Sequence, residues 1–159
     1  MLTFTQSGLL NPAEGIPTTT DELFDTFVRP FPQSKTRAQL FYEWTKYNRM
    51  LRQEIGQDFA QWINGSFVTQ KLNPKDVDLV SFIPSQLFRK FEKRLDYYWA
   101  DNWEREGIDA YFVIVRHLDE PDYYKTTEDT NDWRQRYTAT KPLYGQPRQP
   151  KGFLTMTIT

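Results

Sequence analysis

The sequence contains no cysteine. Disulfide bonds, zinc sites built on thiolates and a catalytic cysteine are therefore excluded. A chain that needs no disulfides suits the reducing cytoplasm, where we expect the protein to be located. Histidine is represented once, by His117, and no serine visibly pairs with it as a nucleophile. We interpret His117 as a structural or surface residue.

Long apolar runs are also lacking. No stretch approaches the roughly 20 apolar residues that a membrane-spanning helix needs, and the N-terminal residues do not have the pattern of a signal peptide. We therefore expect no membrane partner. The formal net charge is only −1, so no whole-molecule field draws the protein to nucleic acid, and any polyanion must be bound by a local cluster.

Aromatic residues, by contrast, are abundant, with five Trp, nine Tyr and twelve Phe. This composition predicts a packed globular protein, and 159 residues suit one domain with a substantial core. Prolines and a glycine punctuate residues 1–33, which we predict to be a largely irregular N-terminal arm packed on the core. Residues 34–159 would form the domain itself.

Apolar periodicity predicts the secondary structure. The predicted helices span about 22–28, 34–55, 85–106 and 132–137, and the predicted strands span 59–63, 76–83, 108–115 and 153–159. Thr20 or Asp21 would cap the first helix, and Ser34 would cap the second. The strand at 108–115 is apolar enough to be central in a sheet, whereas the alternation in 153–159 indicates an edge strand. On the long helix we place Arg37 and Glu43 on the solvated face, and we predict that Gly56 ends that helix.

Two alternate aspartates open the strand that follows residue 75. Because side chains alternate faces along a strand, Asp76 and Asp78 share one face with Val80. Carboxylates about 6–7 Å apart repel each other unless a cation or basic group joins them. Asp109 opens a later strand in the same way, and three carboxylates would converge if the two strands paired with their acids level. Three hard oxygen ligands suit Mg²⁺ or Mn²⁺.

A Gly65-Ser66 turn lies before the aspartates, with nine residues between Ser66 and Asp76. Glycine lets a backbone approach phosphate closely, and the serine hydroxyl can donate to it. Composition alone favours a structural alternative to a functional site. In this alternative Asp76 belongs to a turn, Asp78 protects an edge strand from pairing with other chains, and Asp109 is a cap. The turn, the two strands and the third acid together shift the balance towards a site.

This combination resembles the nucleotidyltransferase superfamily of DNA polymerase beta, across roughly residues 59–116. The resemblance implies an α+β fold, with a small mixed β-sheet flanked by helices in a single domain. It also implies two-metal catalysis with Mg²⁺ or Mn²⁺, moving a nucleotidyl group from an NTP or dNTP. The stretch 62–78 looks like an uncharacterised bacterial branch of small stand-alone members. Asn64 departs from the pattern, since many members have an apolar residue there, and little here could replace the second domain by which larger members hold base and acceptor.

The resemblance assigns a role to each acid. Asp76 and Asp78 would bind both ions, and Asp109 would complete one ion site and accept the proton of the attacking hydroxyl. The candidate nucleotide-binding residues are Gly65, Ser66, Thr69, Lys71 and Lys151. Lys71 is equally consistent with an exposed turn lysine, whereas Lys151 lies directly before the last strand as a possible phosphate contact.

The C-terminal third interleaves basic and aromatic residues. These are Arg134, Arg136, Lys141, Arg148 and Lys151, with Trp133, Tyr137 and Tyr144. They could hold a triphosphate tail or a nucleic-acid strand. The neighbouring acids Glu128, Asp129 and Asp132 favour the simpler interpretation of a solvated loop.

Three functions follow in order of preference. The leading hypothesis is a nucleotidyltransferase acting on a protein, RNA or nucleotide hydroxyl. The resemblance further implies a role in a toxin–antitoxin or phage-defence system, with a toxin or effector as protein partner or a nucleic acid as acceptor. The alternatives are a catalytically inactive nucleotide-binding or partner-binding module of the same fold, and a structural interaction protein in which the acids are accidental.

Overall fold

The structure is a computed structural model and describes residues 2–142 and 145–159, so Tyr144 lies outside the described residues. The strands there are β1 (Thr3–Phe4), β2 (Leu10–Asn11), β3 (Gly15–Pro17), β4 (Phe59–Asn64), β5 (Val77–Pro84), β6 (Ile108–Val115) and β7 (Phe153–Ile158). The helices are α1 (Thr20–Phe27), α2 (Arg37–Ile55), α3 (Ser85–Leu95), α4 (Ala100–Trp103) and α5 (Tyr124–Tyr137), with 3-10 turns at Ser66–Val68, Asp96–Tyr98 and Glu104–Glu106. None of the described helices is both long enough and apolar enough to cross a lipid bilayer.

A mixed five-stranded sheet forms the centre, in the order β3-β7-β4-β5-β6. β4 is antiparallel to both of its neighbours, whereas β5 and β6 are parallel, as are β3 and β7. The predicted α+β class with a small mixed sheet and flanking helices in one domain is confirmed at this level. β1 and β2 form a separate antiparallel pair.

Two predicted strand positions are wrong. β7 lies inside the sheet between β3 and β4, whereas β6 lies at an edge. Apolar and polar residues alternate along β7 because one face of the strand packs on the core and the other is only partly covered. Met156 is buried and Thr157 is exposed, although β7 lies inside the sheet. β6 is apolar because helices pack against both of its faces, so that Ala110 and Val113 are fully buried.

The N-terminal residues are more regular than predicted. β3 joins the sheet beside β7, and α1 places Leu23 and Phe27 at full burial in the core. The predicted caps of α1 are wrong, because the backbone N–H of Glu22 donates to the hydroxyl of Thr19, at 3.2 Å.

The predicted helix 34–55 is shorter at its start. α2 begins at Arg37 and its N-cap residue is Thr36, so the predicted cap at Ser34 is wrong, although the Ser34 hydroxyl accepts from the Arg37 backbone N–H at 3.1 Å. Gly56 ends the helix in a left-handed conformation, as predicted. Glu43, placed on the solvated face, is buried and accepts a hydrogen bond from Gln39.

The predicted continuous helix 85–106 is wrong. The chain breaks after α3, where Trp99 is extended with φ −77° and ψ 155°. Tyr98 and Trp103, five residues apart, would point about 140° away from each other on a straight helix. The break lets both rings contact Tyr47, with centroids 5.7 and 5.1 Å away. Burial of both aromatic rings explains why the helix does not continue.

α5 starts eight residues earlier than the short helix predicted at 132–137. Its first half is polar on every side, so no apolar stripe reveals it, and only Tyr137 is buried. The hydroxyl of Thr126 donates to the Ile114 carbonyl and accepts from the Arg116 N–H, each at 3.0 Å. These bonds attach α5 to the end of β6.

The sheet has two differently covered faces. The main core fills one face, with α1, α2 and α3 packed on it. The other face carries a small cluster of Val80, Val113, Tyr137 and Phe153, which α5 covers. This smaller cluster leaves one end of the second face open beside the predicted acids.

Arg37 is buried, and its placement on the solvated face is wrong. Its side chain is 0% exposed and donates to four backbone carbonyls. These are Phe27, Phe67, Thr69 and Lys71, the first three at 2.7–2.8 Å. Burial lowers the pKa of Arg37 to about 10, so the guanidinium stays charged at neutral pH. One cation therefore attaches the β4–β5 connection to both α1 and α2.

Replacing Arg37 with leucine would leave these carbonyls buried without donors. We expect Arg37→Leu to lower the free energy of unfolding by at least about 4 kcal/mol, since each of the four unsatisfied buried carbonyls costs about 1–3 kcal/mol. Urea denaturation measures this change. Arg49→Leu, an exposed position of the same helix, is the matched control and should stay within about 0.5 kcal/mol. Equal losses in both variants would contradict the role given to Arg37.

Candidate active site

Asp78 and Asp109 lie level on neighbouring strands. The parallel register of β5 and β6 pairs Asp78 directly with Asp109. Their side chains point to the same face, about 4.8 Å apart at the backbone. Asp78 lies on an inner strand and Asp109 within a strand, so the alternatives of an edge guard and a cap are wrong for these two residues.

Gly65 lies against Asp78. The antiparallel register pairs Asn64 with Asp78, and Gly65 follows with φ 84° and ψ −168°. A Cβ at residue 65 would come within 1.9 Å of the Asp78 carboxylate. Only glycine meets both requirements, because the conformation is strained for any other residue and the space is already filled.

Asp78 carries an unusual charge environment. The pKa of Asp78 is raised to about 6, chiefly by burial. The Lys141 cation opposes this shift, the carboxylates of Asp76 and Asp109 add to it, and Lys151 opposes it more weakly. The Lys141 ammonium lies 3.6 Å from the Asp78 carboxylate. Burial lowers the pKa of Lys151 to about 8, and its ammonium donates to the Gly65 carbonyl at 3.4 Å.

Lys151 is positioned by backbone contacts to the segment after α5 and to the N-terminal arm. Its backbone N–H donates to the Thr138 carbonyl after α5, at 3.0 Å. The next residue, Gly152, donates to the Leu10 carbonyl at 2.8 Å, and a Cβ there would come within 2.4 Å of the Pro12 carbonyl. The N-terminal arm therefore holds Lys151 beside Gly65.

Two cavities meet at Asp109 and Tyr111. The first, here called the aromatic cavity, has a volume of about 360 Å³. It is lined by Gly65, Asp78, Asp109, Tyr111, Trp133 and Tyr137, and also by the cations Arg136, Lys141, Arg148 and Lys151. The second, here called the acidic cavity, has a volume of about 430 Å³ and is lined by Asp76, Asp101, Glu104 and Asp109 with Lys75.

The predicted site residues divide into two groups. Gly65, Asp78, Asp109 and Lys151 line the aromatic cavity, and Asp76 lines the acidic cavity next to it. Ser66, Thr69 and Lys71 line neither cavity. The Thr69 hydroxyl donates to the Ser66 carbonyl at 2.7 Å and accepts from the Lys71 N–H at 3.2 Å, so it stabilises the turn itself.

The carboxylates fit a divalent ion as a pair. Among the described residues, no group of three or more His, Cys, Asp or Glu side chains is close enough together to hold a metal ion. Asp78 and Asp109 nevertheless supply two level carboxylates, whose repulsion is already balanced in part by the Lys141 cation. Mg²⁺ is usually bound through one or two carboxylates, with waters and substrate phosphates completing its shell.

Sequence reasoning missed Asn64 and Tyr111. The Asn64 side-chain amide donates to the Tyr137 carbonyl at 3.3 Å, which attaches the end of β4 to α5. This contact accounts for a polar residue where the superfamily pattern has an apolar one. Tyr111 follows Asp109 by two residues on the same face, and its pKa is raised by burial and by the nearby Asp109 carboxylate. The period of two along β6 was a usable signal for Tyr111.

We expect Asp78→Asn to stabilise the metal-free protein at pH 8 by about 2–3 kcal/mol, since one pKa unit corresponds to about 1.4 kcal/mol. The Asp78 pKa rises on folding from its ordinary 3.8 to about 6, so the protonated side chain favours the folded state. That stability is complete below about pH 4 and is lost as the pH rises through 6.

Urea denaturation in EDTA at pH 4 and pH 8 measures this effect. The two proteins should differ at pH 8 and converge at pH 4. Asp129→Asn, at an exposed position of α5, should show no such pH-dependent gain. A destabilised Asp78→Asn at pH 8 would contradict the proposed electrostatics.

We expect Gly65→Ala to be more damaging than Gly56→Ala. Both glycines have positive φ, but a Cβ at Gly56 meets nothing within 4 Å, so it isolates the backbone strain of about 1–2 kcal/mol. The excess loss in Gly65→Ala, measured by thermal denaturation, reports the overlap with Asp78 together with the greater strain of the ψ of −168° at residue 65. Adding Asp78→Ala should recover part of that excess, and strictly additive losses would show that the two residues do not interact.

The comparisons with known proteins identify a family. Residues 2–157 match the profile described as a family of unknown function (DUF6932), and the chain belongs to that family. The search of curated proteins and the search of solved structures each found no match.

Proposed function

We propose that this member of the DUF6932 family is a metal-dependent nucleotidyltransferase, which transfers a nucleotidyl group from an NTP or dNTP to a hydroxyl group. The observation that carries the proposal is the level pair of Asp78 and Asp109 beside Gly65 and Lys151. Two facing carboxylates and a desolvated lysine destabilise the empty protein. Such a group of perturbed charges in a cleft is typical of a functional site.

The carboxylate pair is suited to Mg²⁺ or Mn²⁺. Asp78 and Asp109 would hold the ion, and Asp76 lies in the neighbouring acidic cavity. When bound, the ion would stabilise the charge of the reacting phosphate and of the pyrophosphate that leaves. Two carboxylates are enough for this role because the substrate phosphates supply further oxygen ligands.

The remaining residues would bind phosphate and accept a proton. Lys151 is held by its backbone and has a desolvated ammonium, so it provides a fixed charge for a phosphate oxygen. The bare Cα of Gly65 makes room for the Asp78 carboxylate, and so keeps this proposed ion ligand close to the Lys151 ammonium. The oxygen of the acceptor hydroxyl bonds to the α-phosphorus, Asp109 takes its proton, and the bond to pyrophosphate breaks, with the electron pair leaving on pyrophosphate.

The acceptor we propose is a hydroxyl of a protein, an RNA or a nucleotide. A toxin or effector as the protein partner, and a role in toxin–antitoxin or antiviral defence, stay predictions from the superfamily resemblance. One observation favours a second candidate function, a catalytically inactive nucleotide-binding module: within residues 2–142 and 145–159, no three acids are close enough together to hold the two ions that the resemblance implies.

Incubation with labelled NTPs or dNTPs and Mg²⁺ or Mn²⁺ separates the two functions. We expect the protein to form labelled product and pyrophosphate, and to form none in EDTA. Asp78→Asn or Asp109→Asn should lower the rate of product formation at least about 100-fold, because loss of a charge-stabilising group typically costs a factor of 10²–10³. Asp129→Asn serves as the exposed control and should keep full activity. Nucleotide-dependent thermal stabilisation without any product would favour the inactive module.

A further inference from the structure

We propose that the aromatic cavity binds the base of the donor nucleotide, with Trp133 of α5 as the stacking surface. This inference rests on the proposed function, because it assigns the substrate of the same site. It also gives α5 and the segment after it the task that a second domain has in larger nucleotidyltransferases.

The walls of the cavity provide flat aromatic surface. Trp133 lies between Tyr111 and Tyr137, with ring centroids 4.9 and 5.5 Å away. The guanidinium of Arg136 lies over the Trp133 ring, 5.1 Å from its centroid. The exposed guanidinium of Arg136 occupies the position where a planar base would stack on Trp133. It can be displaced because the Arg136 side chain is exposed to solvent. Stacking on an aromatic ring accepts any base, since every base has a π-face.

Two buried polar atoms at the cavity have no partner among the described residues. They are the Asn64 side-chain carbonyl and the Tyr137 hydroxyl. Both residues are 4% exposed, and both line the aromatic cavity. The Asn64 amide already donates to the Tyr137 carbonyl, so its oxygen is left to accept. A buried polar atom without a partner is costly unless a ligand completes it, and the hydroxyl and amino groups of a nucleoside are suitable donors.

Charge assigns the donor to this cavity instead of to the acidic one. Four cations and two carboxylates line the aromatic cavity, whereas the acidic cavity has four carboxylates and one lysine. A triphosphate is repelled by the second set and attracted by the first. The volume of about 360 Å³ lies within the range of small-ligand sites, about 300–1,000 Å³. Asp78, Gly65 and Lys151 line this same cavity, so base and phosphates would share one continuous site.

Calorimetric titration tests the inference with probes that cannot be turned over. The α,β-methylene analogues of ATP and UTP carry a base, inorganic tripolyphosphate does not, and all are titrated with Mg²⁺ present. We expect the analogues to bind more tightly than tripolyphosphate. Trp133→Leu should weaken the analogues at least about fivefold, because base stacking is worth about 1–3 kcal/mol, and should leave tripolyphosphate binding unchanged.

Two further variants keep the test independent of folding. Trp133→Phe retains a ring and should recover most of the lost affinity, and Tyr137→Phe removes an unpartnered hydroxyl without removing a protein contact. We expect Tyr137→Phe to unfold at an unchanged or higher temperature, yet to bind the analogues several-fold more weakly. Tyr124→Leu replaces an exposed aromatic residue of the same helix and should alter neither affinity nor stability.

The inference is overturned if the analogues bind no more tightly than tripolyphosphate, or if Trp133→Leu weakens both kinds of probe equally or neither. Its failure is distinct from failure of the proposed function. Trp133-dependent binding of the analogues without transfer from the natural triphosphates supports a base site and removes the enzyme. Transfer that depends on Asp78 but not on Trp133 retains the enzyme and removes the base site.

Discussion

The buried guanidinium of Arg37 is the constraint on which the rest of the structure depends. It turns the carbonyls of Phe67, Thr69 and Lys71 inward, so the connection between β4 and β5 cannot move away from the body of the protein. Gly65, at the start of that connection, therefore stays against Asp78. The same cation binds the end of α1, which carries the core residues of the N-terminal arm. A single side chain thus joins the arm, the long helix and the turn beside the candidate site.

Much of the candidate site was predictable from the sequence, because its signals are local. Alternate acids before an apolar run indicated Asp78, and a glycine at a strand end indicated the turn at Gly65. Asp76 was predicted to share the strand and the site, but it precedes β5 and lines the acidic cavity. The burial of Arg37 was not predictable, since the helical period puts it on the polar side and only distant carbonyls supply its partners. The order of the strands in the sheet was not predictable from the sequence either. The composition of a strand shows which of its faces are covered, but not its position, and β6 is covered on both faces although it lies at an edge.

The aromatic cavity shows where local signals end. Trp133 and Tyr137 are four residues apart and so share one helix face, but the acids beside them in sequence favoured a solvated loop. The structure turns that face towards Asp78 and Asp109, because Asn64 binds the last residue of α5 and Thr126 binds the end of β6. These contacts join segments far apart in the chain. Charges that oppose folding are then gathered at one end of the sheet, and the large core on the opposite face offsets their cost.

The inner position of β7 has a consequence for how the molecule assembles. β7 follows the six other described strands in the sequence, yet it pairs with β3 on one side and β4 on the other. Until it inserts, β3 has no partner in the sheet, and one edge of β4 exposes its backbone groups. Completing the sheet therefore requires contacts between residues far apart in the sequence, and the formation of such contacts is slow. Until then, the unpaired edge of β4 can pair with strands of other chains. Because only Gly152 separates Lys151 from β7, the candidate site would become complete only when β7 has inserted.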